Sequence, residues 1–254
     1  MSELGSLENP APKHRKSGSR LDRFSTNPAV NFIFDVLMIL LTALVLSLLV
    51  KTFLVRSFFI PSASMETTLM IDDRIIVNEL VPNVVPLNRG DVIVFRDPGG
   101  WLGVQTKTEQ NFIVQSWDWF LSAFGITAPD SEQHLVKRLI GMPGDHVESD
   151  AAGHVKVNGK LLSEPYIQKG DWPCGGRDNS ADQSFSVTVP EGSYWMMGDN
   201  RGNSADSRCH QDLPSKGFVK KSFIAGRAFV VSFPIGHWSW LDNYPNVFKD
   251  IPKP

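Results

Sequence analysis

Three short segments carry side chains suited to chemistry. The first, Pro61-Ser62-Ala63-Ser64-Met65-Glu66-Thr67-Thr68-Leu69, places two hydroxyls in a run of small residues stiffened by Pro61, so that its backbone can approach another chain closely. A serine there becomes a nucleophile if a base lies within reach; a Ser-rich turn without chemistry has the same composition. The second, Leu135-Val136-Lys137-Arg138-Leu-Ile-Gly-Met-Pro-Gly-Asp145, sets a basic pair inside an apolar strand. Alternation sends the two side chains to opposite faces, so one of them points inward. A buried lysine sheds its proton rather than stay a bare cation, its pKa falling by as much as about 3–5 units, and the neutral amine is a base for serine. Two solvated strand charges are the competing reading. The third, Met197-Gly198-Asp-Asn-Arg-Gly202-Asn-Ser204-Ala-Asp206-Ser-Arg208, is a turn-forming run in which Asp206 and Arg208 are free to pair, and by itself it reads as a rigid polar loop.

Familiar hydrolase signatures are absent from the sequence. It has no G-x-S-x-G elbow, no H-E-x-x-H zinc motif, no phosphate-binding P-loop and no lysine three residues after a serine. The six histidines are scattered, with no metal-ligand spacing.

The elements that must position these segments are mostly strands. Runs at Arg74–Asn78, Asp91–Phe95, His134–Ile140, His154–Asn158, Ser184–Val189, Ser193–Met197 and Ala228–Phe233 are short, rich in β-branched or aromatic residues, and bounded by turn formers. Asn158-Gly159 between two of the apolar runs predicts a two-residue hairpin of type I′. A mainly β domain follows. It is preceded by Phe32–Val50, 19 residues whose only charge is Asp35, enough for one helix of roughly 28 Å across a bilayer core of about 30 Å. Between Pro98 and His134 lies an insertion in which Ile113, Trp117, Phe120, Leu121 and Phe124 recur at helical spacing before Gly125. It suits either a helix in the membrane interface or one packed on the protein's own core. Cys174 and Cys209 suit either a disulfide or two thiols.

Taken together, the membrane helix, P-S-A-S-M-E-x-T-L directly after it, R-G-D-V-I-V-F over Arg89–Phe95, V-K-R-L-I-G-M-P-G-D and G-D-N-R-x-N-S-x-D-S-R resemble the ordered boxes of bacterial type I signal peptidases. The likeness covers roughly residues 32–235. It implies a signal-peptidase-like β catalytic core with an inserted β subdomain near residues 148–192. It also implies a membrane-bound serine protease that removes signal peptides from exported preproteins, with no metal and no cofactor. Carried onto the matching positions, Ser64 is the nucleophile and Lys137 the general base. Ser62 joins the Ser64 backbone N–H in the oxyanion hole, Ser204 orients the Lys137 amine, Gly198 keeps that region open, and Asp206 with Arg208 braces the loop. Cleavage after Ala-x-Ala requires shallow apolar pockets, for which Phe58, Ile60, Met65, Leu69 and Val136 are the candidates. Two positions depart from the family pattern: Thr67 stands where it usually has Pro, and Gly202 where it usually has Asp. Lysine at 137, where endoplasmic-reticulum relatives carry histidine, points to the bacterial branch.

Two rivals remain at this stage. A self-cleaving Ser/Lys repressor-type protease shares the β fold but has no membrane span. A catalytically dead, membrane-anchored binding protein is countered only by the intact Ser64 and Lys137. Charge then sets the expected topology. Residues 1–31 carry 5 basic and 3 acidic side chains and the remainder 20 and 24, so the net charge of -2 and pI near 6.3 conceal a basic tail. The positive-inside rule puts that tail, rich in Ser and Pro and expected to be disordered, in the cytoplasm. Residues 32–55 then form the span and 56–254 an extracytoplasmic catalytic domain in the plasma membrane. Preproteins, membrane lipid and proximity to the secretion translocase are the expected partners; nucleic acid is not.

Overall fold

In the computed structural model, residues 28–103, 133–170, 174 and 184–254 are described. The basic tail and the amphipathic pattern from Ile113 to Phe124 lie outside them. Helix α1 runs over Pro28–Phe53. Proline suits its first position, where the missing N–H has no intrahelical role. Its Pro28–Ser47 part has a mean hydropathy of 2.4 and none of it is buried. A helix apolar on every side and exposed among the described residues calls for an apolar solvent, and 20 residues are enough to cross one.

From Val55 onward the described residues form mainly antiparallel β-structure. The strands are β1 (Val55–Phe59), β2 (Arg74–Asn78), β3 (Val92–Arg96), β4 (His134–Gly141), β5 (His146–Ser149), β6 (Val155–Val157), β7 (Lys160–Leu161), β8 (Phe185–Thr188), β9 (Ser193–Met197), β10 (Phe218–Lys220), β11 (Ile224–Phe233) and β12 (Ser239–Trp240). The larger sheet has the order β1-β2-β11-β3-β4-β9-β10, with β12 on β11, and the smaller one the order β7-β6-β5-β8. The smaller sheet is carried between β4 and β9 of the larger. Its hairpin turns at Asn158 and Gly159 with φ of 50° and 79°, the paired positive values of a type I′ turn.

Burial explains why each face of the larger sheet holds. Phe58, Ile60, Met65, Leu69, Ile75, Val77, Val92 and Val94 form one core cluster, on which the Ser64 turn is seated. Ile93, Phe95, Leu139, Tyr194 and Met196 pack together in a second. A strand covered on both sides loses the polar alternation of a half-exposed one. On β4 this overturns the expectation drawn from alternation for the basic pair: Lys137 and Arg138 point to opposite faces and both are buried. Cys174 and Cys209 form a disulfide across 35 residues, which stabilises a chain of this spacing by about 3–4 kcal/mol.

Candidate active site

Ser64 lies in a 3-10 helix, Ala63–Met65, entered from extended Ser62. Backbone donors in the first turn of a helix have no intrahelical acceptor, so the Ser64 N–H is placed to serve an external oxygen. Two hydrogen bonds from Asn200 hold the turn: its backbone N–H donates to the Ser64 carbonyl at 3.2 Å and its Nδ2 to the Ala63 carbonyl at 3.1 Å. Asn200 was hidden in the sequence as one more polar residue of a loop; its effect depends on a turn 136 residues away.

Strand β4 brings Lys137 to the serine. Its Nζ donates to Ser64 Oγ at 2.6 Å and to the Val136 carbonyl at 3.1 Å. Both side chains are buried, Lys137 with 3% and Ser64 with 8% of its surface exposed. Burial pushes the lysine down from 10.5 to about 8; the Asp206 and Asp199 carboxylates oppose the shift and Arg208 adds to it. A neutral amine within hydrogen-bond reach of a hydroxyl is the make-up of a base and its nucleophile. Ser62 Oγ donates to Ser64 Oγ at 3.4 Å, so the second hydroxyl of the segment flanks the first.

The polar loop packs behind this pair. Asp206 Oδ2 accepts from the Gly198 N–H at 2.9 Å, and Arg208 Nε and Nη2 bind the same carboxylate at 2.9 and 2.8 Å. Burial alone would raise the Asp206 pKa, but the Arg208 charge and these hydrogen bonds outweigh it and hold the carboxyl below its usual range. Ser204 Oγ is buried and has no hydrogen-bond partner among the described residues; it lies over the Cα of Gly198 rather than on the Lys137 amine. A Cβ at position 198 would overlap Ser204 Oγ and the Ser64 carbonyl. Gly198→Ala should therefore force the two serine segments apart and slow turnover about 10²-fold with the fold retained. Peptide cleavage measured beside circular dichroism checks this. Gly202 touches the backbone of Gly170, whose Cβ, if present, would stand 2.6 Å from the Gly202 Cα.

A cleft of about 120 Å3 opens beside Ser64 and Lys137, walled by Phe58, Ile60, Met65, Val136, Leu102 and His134. Of the five pocket candidates, Leu69 is not in this wall. It lies fully buried in the core below, its N–H bonded to the Met65 carbonyl at 2.8 Å. Leu102 and His134 were not singled out by sequence, which offered no periodicity to mark them. Two larger cavities, of about 540 and 310 Å3, hold neither Ser64 nor Lys137. No group of three His, Cys, Asp or Glu able to hold a metal occurs among the described residues.

A serine on a core-seated turn and a buried lysine bonded to it thus sit together on an antiparallel β scaffold. The family model described as signal peptidase, peptidase S26 matches residues 33–233, and the chain belongs to that family. Signal peptidase I of Mycobacterium tuberculosis (strain CDC 1551 / Oshkosh) is 37% identical over 195 residues, covering 70% of this chain and 64% of the relative. The chain thus matches somewhat less than two thirds of that relative's length. Signal peptidase I P of Bacillus subtilis subsp. natto is 32% identical over 204 residues, covering 80% of this chain and 90% of the relative. A crystal structure of a signal peptidase I from Enterococcus faecalis V583 aligns at 27% identity over 56% of this chain and 95% of that one, with a TM-score of 0.33.

Proposed function

We propose that the chain is a membrane-anchored serine endopeptidase that removes N-terminal signal peptides from exported preproteins, cutting after Ala-x-Ala. The observation that carries this reading is the 2.6 Å contact between Lys137 Nζ and Ser64 Oγ, both buried, in a member of the signal peptidase family. In the first step the neutral Lys137 amine takes the Ser64 proton as Oγ attacks the scissile carbonyl carbon. The oxyanion that develops accepts hydrogen bonds from the Ser64 backbone N–H and Ser62 Oγ. Collapse breaks the peptide C–N bond, and protonated Lys137 gives its proton to the departing amine, the new N-terminus of the mature protein. Water then attacks the ester on Ser64, with Lys137 again the base, and releases the signal peptide. Ser204, whose buried hydroxyl is unspent, is assigned to hold the Lys137 amine once it leaves Ser64. Asp206 and Arg208 brace that loop.

The apolar wall of the cleft supports a preference for small apolar side chains such as alanine. Phe58, Ile60, Met65 and Val136 give the cleft of about 120 Å3 an apolar wall, and a substrate lying extended along β4 would present alternate side chains to it. Lysine chemistry also fixes the pH dependence. The reactive form is the amine, so kcat/KM should rise roughly tenfold per pH unit below 8 and level off above it. A profile flat from pH 6 to 9 would exclude a lysine base.

The topology is part of the same proposal. Helix α1 spans the plasma membrane, the basic tail stays in the cytoplasm, and the domain from about residue 56 lies outside, with lipid around the anchor and the translocase nearby. Protease added to intact spheroplasts should digest that domain while an epitope on the N-terminal tail survives. Survival of the domain with loss of the epitope would reverse the orientation.

A further inference from the structure

Between β7 and β8, residues 164–170 leave the smaller sheet and lie along the polar loop behind Ser64. Gln168 fastens them at the centre: its N–H donates to the Asp199 carbonyl and its carbonyl accepts from the Arg201 N–H, both at 2.9 Å, on either side of Asn200. Glu164 fastens one end. Its carboxylate takes the Arg201 guanidinium in a bidentate grip, Nη1 to Oε2 at 2.9 Å and Nη2 to Oε1 at 2.5 Å, and the two side chains are only 4% and 5% exposed. Tyr166 Oη donates to the same carboxylate at 2.9 Å. At the other end Gly170 meets the backbone of Gly202, where a Cβ would not fit. Arg201 Nε in turn donates to the Gly198 carbonyl at 3.1 Å and closes the turn 198–201. Asn200 is thereby held from behind, while its own donors reach forward to the Ala63 and Ser64 carbonyls.

The Ala63 carbonyl and the Ser64 N–H belong to one peptide, and a peptide is planar. The bond from Asn200 Nδ2 to that carbonyl, at 3.1 Å, therefore sets the direction of the N–H assigned to the oxyanion. We propose that Glu164 is a positioning residue for the reaction: its grip on Arg201 holds the 198–201 turn, through which Asn200 orients the Ser64 peptide. A buried ion pair is a poor way to gain stability, since apolar side chains of the same volume do as well, but a bidentate carboxylate fixes a guanidinium in direction as well as place. The subdomain that carries the smaller sheet thus contributes to the chemistry without touching substrate. This inference rests on the reading of Ser64 as nucleophile and of its N–H as an oxyanion donor.

The test uses the full chain in detergent and one Ala-x-Ala peptide, assayed well below the melting temperature of every variant. The oxyanion exists only in the transition state, so Glu164→Ala should lower kcat about 10- to 100-fold and leave KM within about threefold of wild type. Glu164→Gln, which keeps one acceptor for the guanidinium, should recover part of the loss. Asn200→Ala should lower kcat by a similar factor. Adding Glu164→Ala to it should cost less than about twofold more, because both act by one route. A folded Glu164→Ala protein with wild-type kcat, or with a change in KM alone, overturns the role of Glu164 and leaves the dyad standing. Full multiplication of the two losses in the double variant does the same. Cleavage by Ser64→Ala at the wild-type rate overturns the dyad itself. If the Glu164 variants do not fold, Gly170→Ala decides the matter. Its methyl group would stand 2.6 Å from the Gly202 Cα and lift the same segment without disturbing a charge. There kcat should fall at least about fivefold with KM unchanged. A wild-type kcat in Gly170→Ala overturns the inference.

Discussion

Ser64→Ala should abolish preprotein cleavage, and Lys137→Ala should come close to it. Removal of a nucleophile that acts with its base costs on the order of 10⁴–10⁶ in kcat, and loss of a general base alone on the order of 10²–10⁴. The double variant should be no slower than Ser64→Ala, because the proposed mechanism makes one unit of the two residues, which share a 2.6 Å hydrogen bond. Assays of a preprotein with an Ala-x-Ala site, resolved on a gel over several decades of enzyme concentration, read these losses. The variants also separate catalysis from folding. A lysine buried with its pKa near 8 instead of 10.5 makes folding at neutral pH less favourable by about 3 kcal/mol, a cost relieved as pH rises from 8 to 10.5. Lys137→Met is accordingly expected to be inactive and to melt above wild type at pH 7. A variant that is inactive because it is unfolded would melt below it.

Arg138→Met should cost the most stability of any single substitution near the site. Arg138 is fully buried and grips Asp199 through Nε and Nη2 at 2.8 and 2.6 Å, while Thr68 Oγ1 donates to the same carboxylate at 2.5 Å. Its guanidinium also lies 4.1 Å from the Tyr166 ring centroid and donates to the Gly90 carbonyl at 2.6 Å. Deleting the cation leaves the buried Asp199 charge with a single hydroxyl, a loss of about 3–5 kcal/mol or roughly 10 °C in melting temperature for a domain of this size. Adding Asp199→Asn to Arg138→Met should recover part of the loss by removing the stranded charge. Thermal unfolding followed by circular dichroism in detergent measures both. If Arg138→Met melted within 2 °C of wild type, Asp199 would have to be solvated by some route other than this pair.

The strands were legible because they sit in a sheet whose apolar runs are cut by turn formers; Arg74–Asn78 and Ser193–Met197 were located to the residue. Strands β1, β5, β10 and β12 escaped notice. Val55–Phe59 continues directly from an apolar helix with no punctuation, and Phe218–Lys220 is only three residues long. Of the site, Ser64 and Lys137 were legible as unusual residue types in their local runs, but only the set of boxes tied one to the other. The burial of both Lys137 and Arg138 was not readable from alternation. What covers their two faces, the Ser64 turn on one side and Asp199, Tyr166 and Tyr244 on the other, comes from distant parts of the chain. Leu69 and Val136 look equivalent in sequence, yet one fills the core and the other lines the cleft. The cysteine pair was undecided by spacing and was settled by the fold, which brings the two Cα atoms to 5.0 Å.

The claim on which the rest depends is that Ser64 Oγ becomes acylated. Rapid acid quenching of the full chain during turnover of an Ala-x-Ala substrate, followed by mass spectrometry, tests it without reliance on rates. The tryptic peptide Ser57–Arg74 should carry the added mass of the substrate's N-terminal part on Ser64, and neither Ser64→Ala nor Lys137→Ala should show it. Acylation of a different residue, or cleavage by Ser64→Ala at the wild-type rate, would contradict the assignment.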